Sequence, residues 1–123
     1  MPPYDLVERT RQFALRIAAF CRSLPETDEA REAARQLRRA ATSTRANYRA
    51  ARRGRSRAEF EAKLGIVFEE ADECVDWLEY LRDSGMKADA ALIQEARELA
   101  MIFAKARKTA RANTNRMKKV PKS

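Results

Sequence analysis

Apolar residues recur at alternating intervals of three and four along most of this chain, and this period restricts the chain to helices. The clearest run occupies one segment, at positions Phe60, Leu64, Val67, Ala71, Cys74, Leu78 and Leu81. Such spacing places side chains on one face of an α-helix, whereas a half-buried strand needs strict alternation. The chain also has only three glycines and four prolines, fewer turn residues than a β-rich domain needs. We therefore predict an all-α protein.

Interruptions in the apolar pattern divide the chain into four predicted helices. Pro25, Gly54 and Gly85 mark the breaks, because proline cannot continue a helix and glycine commonly follows a helix end. The predicted helices cover residues 6–22, 28–53, 57–84 and 88–112. Similar lengths and short connections favour an antiparallel up-down-up-down four-helix bundle. We assign residues 4–112 to this bundle and residues 113–123 to a disordered, flexible basic tail.

The helix starts carry side chains that can cap the free backbone N–H groups of a first turn. Asp5 precedes the first helix, and Thr27 or Asp28 precedes the second. Ser56 precedes the third and is followed by Glu59, the spacing of a capping box. These signals support the predicted boundaries.

Charge is distributed in blocks along the chain. The formal net charge is +8, but residues 31–57 contain ten arginines and one glutamate, whereas residues 58–104 contain twelve acidic and four basic side chains. Residues 105–123 contain eight basic and no acidic side chains. Blocks of like charge indicate interaction surfaces, so the two basic blocks and the acidic block each require an explanation.

The composition argues against an enzyme. The chain has no histidine, the residue most often used as a general base and metal ligand. Its three scattered glycines cannot form a phosphate-binding loop. The carboxylates between Glu69 and Glu79 mostly lie off the apolar positions, which is typical of a solvated or arginine-paired face. We expect no catalytic residue, no cofactor and no metal site.

The two cysteines and the hydropathy pattern predict a cytoplasmic protein. Cys21 and Cys74 each lie in an apolar helical stripe, which favours buried thiols in a reducing compartment over a disulfide. No apolar run approaches the roughly 18 residues that a membrane span needs, so no membrane partner is expected. The N-terminus lacks the basic and apolar segments of a secretion signal.

The second helix carries the most informative surface. At about 100° per residue, its apolar residues cluster on one side and its arginines on the other. We select five of them as candidate nucleic-acid-binding residues: Arg38, Arg45, Arg49, Arg52 and Arg53. In one interpretation they contact the phosphate backbone of RNA or DNA, which suits the guanidinium group. In the other they pair with acidic residues of the third helix or of another subunit, and both interpretations remain open.

The basic C-terminal segment adds to this candidate set. A flexible basic arm is a common means of non-specific attachment to nucleic acid, and the alternative is a role in solubility alone. We therefore include Arg111, Lys118 and Lys119 among the candidate nucleic-acid-binding residues.

A second group of apolar residues lies off the main stripes of the third and fourth helices. Exposed aromatic and apolar side chains are frequent interface anchors, although such residues can also pack beneath a loop. We predict a homo-oligomer whose interface contains Ile66, Trp77, Tyr80, Met101 and Ile102.

Several motifs carry a family resemblance. They are QLRRAATS at 36–43, ANYR at 46–49, SRAEF at 56–60, KLGIV at 63–67 and RKTAR at 107–111. In these motifs the chain resembles the four-helix bundle proteins encoded within 23S rRNA intervening sequences. It is also distantly similar to the accessory variability protein of diversity-generating retroelements. The resemblance covers about residues 4–112.

The resemblance implies an up-and-down bundle that assembles as a ring, most often a homopentamer. The retroelement protein is a basic pentameric ring that binds nucleic acid and a reverse transcriptase, which implies the same classes of partner here. No catalytic residues are attached to the family. This chain has Ala50 where the family commonly has glutamate, and the resemblance therefore implies the loss of a polar contact at a subunit boundary.

Overall fold

The computed structural model describes residues 5–119, with side chains to residue 117. It contains four helices: α1 (Leu6–Arg22), α2 (Asp28–Arg52), α3 (Arg57–Asp83) and α4 (Ala90–Lys119). No strand occurs within this described part of the chain. The predicted all-α four-helix fold is confirmed.

The predicted helix starts are formed by side-chain caps. The carboxylate of Asp5 accepts a hydrogen bond from the Glu8 N–H at 3.1 Å, and the hydroxyl oxygen of Thr27 accepts one from the Ala30 N–H at 3.1 Å. Ser56 accepts from the Glu59 N–H in the same way. Each cap satisfies a backbone donor that the first turn leaves without an intrahelical partner. Gly85 follows α3 with φ +80°, a backbone conformation that glycine adopts without steric cost.

The helices pack in sequence order around one core. α2 packs between α1 and α3, α3 packs on α4, and α4 returns only loosely to α1. The largest fully buried side chains include Phe13, Ile17, Leu37, Leu78 and Phe103. α2 contributes mainly alanines to this core, so its neighbours can approach its backbone closely. This arrangement leaves the opposite, arginine-bearing side of α2 on the surface.

A pair of charged hydrogen bonds joins α1 to α4 where their packing is loose. The Arg9 guanidinium donates to both carboxylate oxygens of Glu95, at 2.9 and 2.7 Å. The side chains are 27% and 16% exposed, respectively, so the pair is partly shielded from water. The Arg9–Glu95 pair therefore links the first helix of the bundle to the last.

α4 is longer than predicted. Its expected end at Ala112 is wrong, since the helix continues to Lys119 and takes in part of the segment assigned to the flexible tail. Thr114 lies in this extension and is buried, at 6% exposed, and its hydroxyl is satisfied because it donates to the Ala110 carbonyl at 2.9 Å. Residues 120–123 of the predicted tail lie outside the described residues.

Across residues 5–119, none of the four helices combines the length and the apolar character that crossing a lipid bilayer requires.

Candidate nucleic-acid interface

The arginines of α2 divide into two groups according to what lies beside them. Arg31 pairs with Asp28 at 2.6 Å and Arg35 with Glu32 at 2.8 Å, in both cases within α2 itself. Arg39 points towards α3, where it contacts Glu70 at 2.8 Å and also Glu73. The interpretation that arginines pair with the acidic third helix is therefore correct for Arg39.

The remaining arginines form what we call the unpaired arginine row: Arg38, Arg45, Arg49, Arg52 and Arg53. Within residues 5–117, no carboxylate oxygen lies within 4.0 Å of any of them. All are exposed except Arg45, which is half-buried. At 1.5 Å per residue the row extends about 22 Å along α2. The structure thus brings together all five candidate arginines of the second helix.

The row borders the seam between α1 and α2. Burial raises the pKa of the Cys21 thiol, and the nearby Arg38 guanidinium partly opposes that increase. At the other end, burial raises the pKa of the Tyr48 hydroxyl and Arg52 opposes it. Arg38 and Arg52, near the two ends of the row, therefore lie close to the partly buried Cys21 thiol and Tyr48 hydroxyl, respectively.

Arg45, at the centre of the row, has an unsatisfied donor. Its Nε atom is buried and has no hydrogen-bond acceptor within the described structure. An unpaired buried donor costs about 1–3 kcal/mol.

A groove extends the basic surface towards the start of α2. It has a volume of about 560 Å³, and four arginines line it together with Cys21 and Glu26: Arg22, Arg31, Arg35 and Arg38. Arg22 ends α1 and was not among the predicted site residues. No local sequence signal identifies it, because only the packing of α1 on α2 brings it beside Arg38.

Of the predicted basic residues of the C-terminal segment, Arg111 does not join this row. Arg111 lies on α4 and its Nε donates to Glu61 of α3 at 3.2 Å. α4 packs on α3 and α1, so Arg111 lies on a different face from the row. The side chains of Lys118 and Lys119 lie outside the described residues.

The outward face of α3 is acidic. Glu61, Glu70, Glu73 and Glu79 are used in ion pairs with arginines of the neighbouring helices. Three further carboxylates on this helix, Glu69, Asp72 and Asp76, are exposed and have no basic nitrogen of residues 5–117 within 4.0 Å. The bundle therefore presents a basic α2 face and an acidic α3 face at the same time.

The five predicted interface residues occupy two faces. Ile66, Trp77 and Tyr80 lie on the side of α3 that faces α2, and Ile66 and Tyr80 are 40% and 44% exposed. Met101, on α4, is 60% exposed, and Ile102 beside it is half-buried. Since α4 does not pack on α2, these residues do not form one continuous patch.

Both cysteines are free and buried, as predicted. Burial raises the pKa of the Cys74 thiol, so this group stays protonated and unreactive. Among the described residues, no cluster of three metal-ligating side chains occurs.

Comparison with known proteins identifies a matching family and a similar solved structure. The model of the 23S rRNA-intervening sequence protein family matches residues 4–105. A crystal structure at 1.70 Å of a protein of unknown function from the S23 ribosomal protein family of Bacteroides thetaiotaomicron VPI-5482 is 28% identical, with a TM-score of 0.76. That similarity covers 83% of this chain and 97% of the other. No curated protein matches significantly.

Neither the matched family nor the structural neighbour is described as an enzyme. The family match spans most of the bundle and includes the motifs on α2 and α3 that carry the sequence resemblance. This chain therefore belongs to the 23S rRNA-intervening sequence protein family.

Proposed function

We propose that this protein is a non-enzymatic, homo-oligomeric bundle that binds RNA or DNA non-specifically through the unpaired arginine row. The observation that carries the proposal is that, among the side chains of residues 5–117, no carboxylate lies within 4.0 Å of five arginines on one helix face. A guanidinium group with no carboxylate partner retains donors for phosphate oxygens.

The binding is expected to be non-specific because the row is suited to the backbone and not to base edges. Phosphate contacts position a protein on nucleic acid without reading its sequence. The row is also straight, since it follows one face of a helix over about 22 Å. It could therefore follow several phosphates of one strand or groove edge.

The proposal is tested by removing charge from the row without disturbing the core. Arg38 and Arg49 are exposed, so the double variant R38Q/R49Q should fold normally. Binding of a short fluorescein-labelled RNA or DNA, measured by anisotropy at low salt, should weaken by roughly tenfold or more.

A matched control removes the same charge elsewhere. Arg82 and Arg97 already pair with Asp83 and Glu79 on the α3 and α4 side of the bundle. The variant R82Q/R97Q should bind nearly as well as the parent protein. Equal weakening by both variants would show that net charge, and not the row, determines binding.

Self-association is the second part of the proposal. Ile66 and Met101 support it, because both are large, apolar and substantially exposed. Ile66 and Met101 lie on different faces of the bundle. A contact between Ile66 of one copy and Met101 of the next would therefore be head-to-tail, the type of interface that can close into a ring. The family resemblance implies that the oligomer is a homopentamer and that a reverse transcriptase is a partner, and both of these remain predictions.

Light scattering coupled to size-exclusion chromatography tests this association. The variant M101D should reduce the oligomer mass, since it places a charge in the proposed apolar contact. L15D is a suitable control, because Leu15 is 51% exposed but lies on α1, outside the predicted interface. A parent protein that is monomeric after nuclease treatment would contradict the oligomer.

A second candidate function is a protein scaffold in which the arginine row of one copy contacts the acidic α3 face of the next. The exposed carboxylates of Glu69, Asp72 and Asp76 favour it. The same R38Q/R49Q variant separates the two functions. Loss of the oligomer would favour the scaffold, whereas an intact oligomer with weakened nucleic-acid binding would favour the leading proposal.

A further inference from the structure

A second surface groove, of opposite charge to the arginine row, lies between the start of α2 and the end of α3. Its volume is about 440 Å³. Two aromatic rings, three carboxylates and one alanine line it: Trp77, Tyr80, Glu29, Glu32, Asp76 and Ala33. It lies about 16 Å along α3 from Ile66, so it is separate from that exposed residue.

The aromatic wall of the groove is well defined. The Trp77 and Tyr80 rings pack edge to face, with centroids 5.7 Å apart and an interplanar angle of 86°. The Tyr80 hydroxyl donates to Glu29 Oε1 at 2.5 Å, which joins the end of α3 to the start of α2. This hydrogen bond holds the Tyr80 ring in place while leaving the residue 44% exposed.

The carboxylates make the groove strongly favourable for a cation. Glu32 is partly neutralised by Arg35, at 2.8 Å. Asp76 has no basic nitrogen within 4.0 Å in the described structure, and Glu29 has only the Tyr80 hydroxyl as a side-chain partner. An apolar or anionic occupant would bury these carboxylates without compensation.

Aromatic faces beside carboxylates are suited to a guanidinium group in particular. Arginine stacks on aromatic rings through its planar cation and donates a two-pronged hydrogen bond to a carboxylate. Lysine offers only a compact, strongly hydrated charge. A groove that supplies both an aromatic wall and carboxylates therefore discriminates in favour of arginine.

We propose that this groove is a docking site for an arginine side chain presented by a partner protein, with the exposed Tyr80 ring against the guanidinium plane, Trp77 bordering it, and Asp76 and Glu29 as its acceptors. The site is independent of the nucleic-acid function, because it lies on another seam and selects the opposite charge. It also gives the Trp77–Tyr80 pair a role other than self-association.

The test uses Trp77 as a built-in reporter, since it is the only tryptophan of the chain. The full chain is titrated with a short blocked peptide of alternating glycine and arginine, and with its lysine counterpart. We expect a saturable change in Trp77 emission, with the arginine peptide binding at least about threefold more tightly.

Two charge-matched variants show whether the groove is responsible. D76N/E29Q removes two carboxylates from the groove and should weaken arginine-peptide binding by about tenfold or more. E59Q/E98Q removes two exposed carboxylates away from the groove, one at the start of α3 and one on α4, and should leave binding unchanged. If D76N/E29Q fails to fold, the single variants D76N and E98Q, both at exposed positions, provide a charge-matched comparison.

Three results would overturn the proposal. One is equal weakening by both double variants, which would indicate general attraction to acidic charge. Another is binding of spermidine as tightly as the arginine peptide, which would make the groove a site for small polyamines. The third is a Trp77 emission that depends on protein concentration and not on peptide, which would assign the groove to a second copy of this chain.

Discussion

The salt dependence of nucleic-acid binding provides the sharpest test of the unpaired arginine row. Each phosphate that a protein neutralises on duplex DNA contributes about −0.9 to the slope of log affinity against log salt. The row contains five arginines that have no carboxylate within 4.0 Å in the part of the chain that the structure describes. If all five contact phosphates, the slope should be about −4.5, and affinity should fall by about 500-fold between 50 and 200 mM salt.

The variants change this slope by amounts that follow from the same reasoning. R38Q/R49Q leaves three contacts, so its slope should be about −2.7. R82Q/R97Q changes two arginines that are already paired, so its slope should stay near −4.5. On single-stranded nucleic acid each contact contributes only about −0.7, which gives about −3.5 for the parent protein.

Fluorescence anisotropy with a labelled duplex, repeated over a series of salt concentrations, measures these slopes directly. Protein is first treated with nuclease so that co-purified nucleic acid does not occupy the row. A parent slope shallower than about −2 would mean that fewer than three arginines make contact, and the row would not be the binding surface. Identical slopes for the parent protein and R38Q/R49Q would refute the assignment of these two residues.

Three further predictions concern the bundle itself. E95Q should lower the free energy of unfolding by about 1–2 kcal/mol, because it disrupts a hydrogen-bonded ion pair with Arg9 that is only partly shielded from water. A double-mutant cycle with R9Q, measured by urea denaturation, would contradict this if it showed negligible coupling between the two residues. F103A should cost about 3–5 kcal/mol, since Phe103 is fully buried, and a loss below about 1 kcal/mol would refute its place in the core. Burial raises the pKa of the Cys74 thiol, so the unfolded chain loses this proton at a lower pH than the folded protein does. With reducing agent present, the free energy of unfolding should therefore keep the full contribution of this thiol below pH about 8.5, the unfolded pKa of cysteine, and should fall above it. C74A should show a flatter dependence of this free energy on pH.

The helices and their starts could be predicted from local sequence alone. An apolar residue every three or four positions and a capping oxygen before the first turn are short-range features, and Asp5, Thr27 and Ser56 all cap as expected. The predicted end of α4 was wrong because it depended on contacts between helices and not on local sequence. Thr114 is a polar residue, and its burial can be recognised only in the folded bundle.

The candidate site shows the same division. The residue order of α2 is enough to predict an apolar side and an arginine-bearing side, because both follow from the helical period. It could not determine which arginines are free. Arg38 and Arg39 are adjacent but point about 100° apart, so that only Arg39 reaches Glu70 and Glu73 of α3, while Arg38 faces the seam with α1. Ion pairing requires atoms within a few ångströms, and only helix packing brings residues distant in sequence that close.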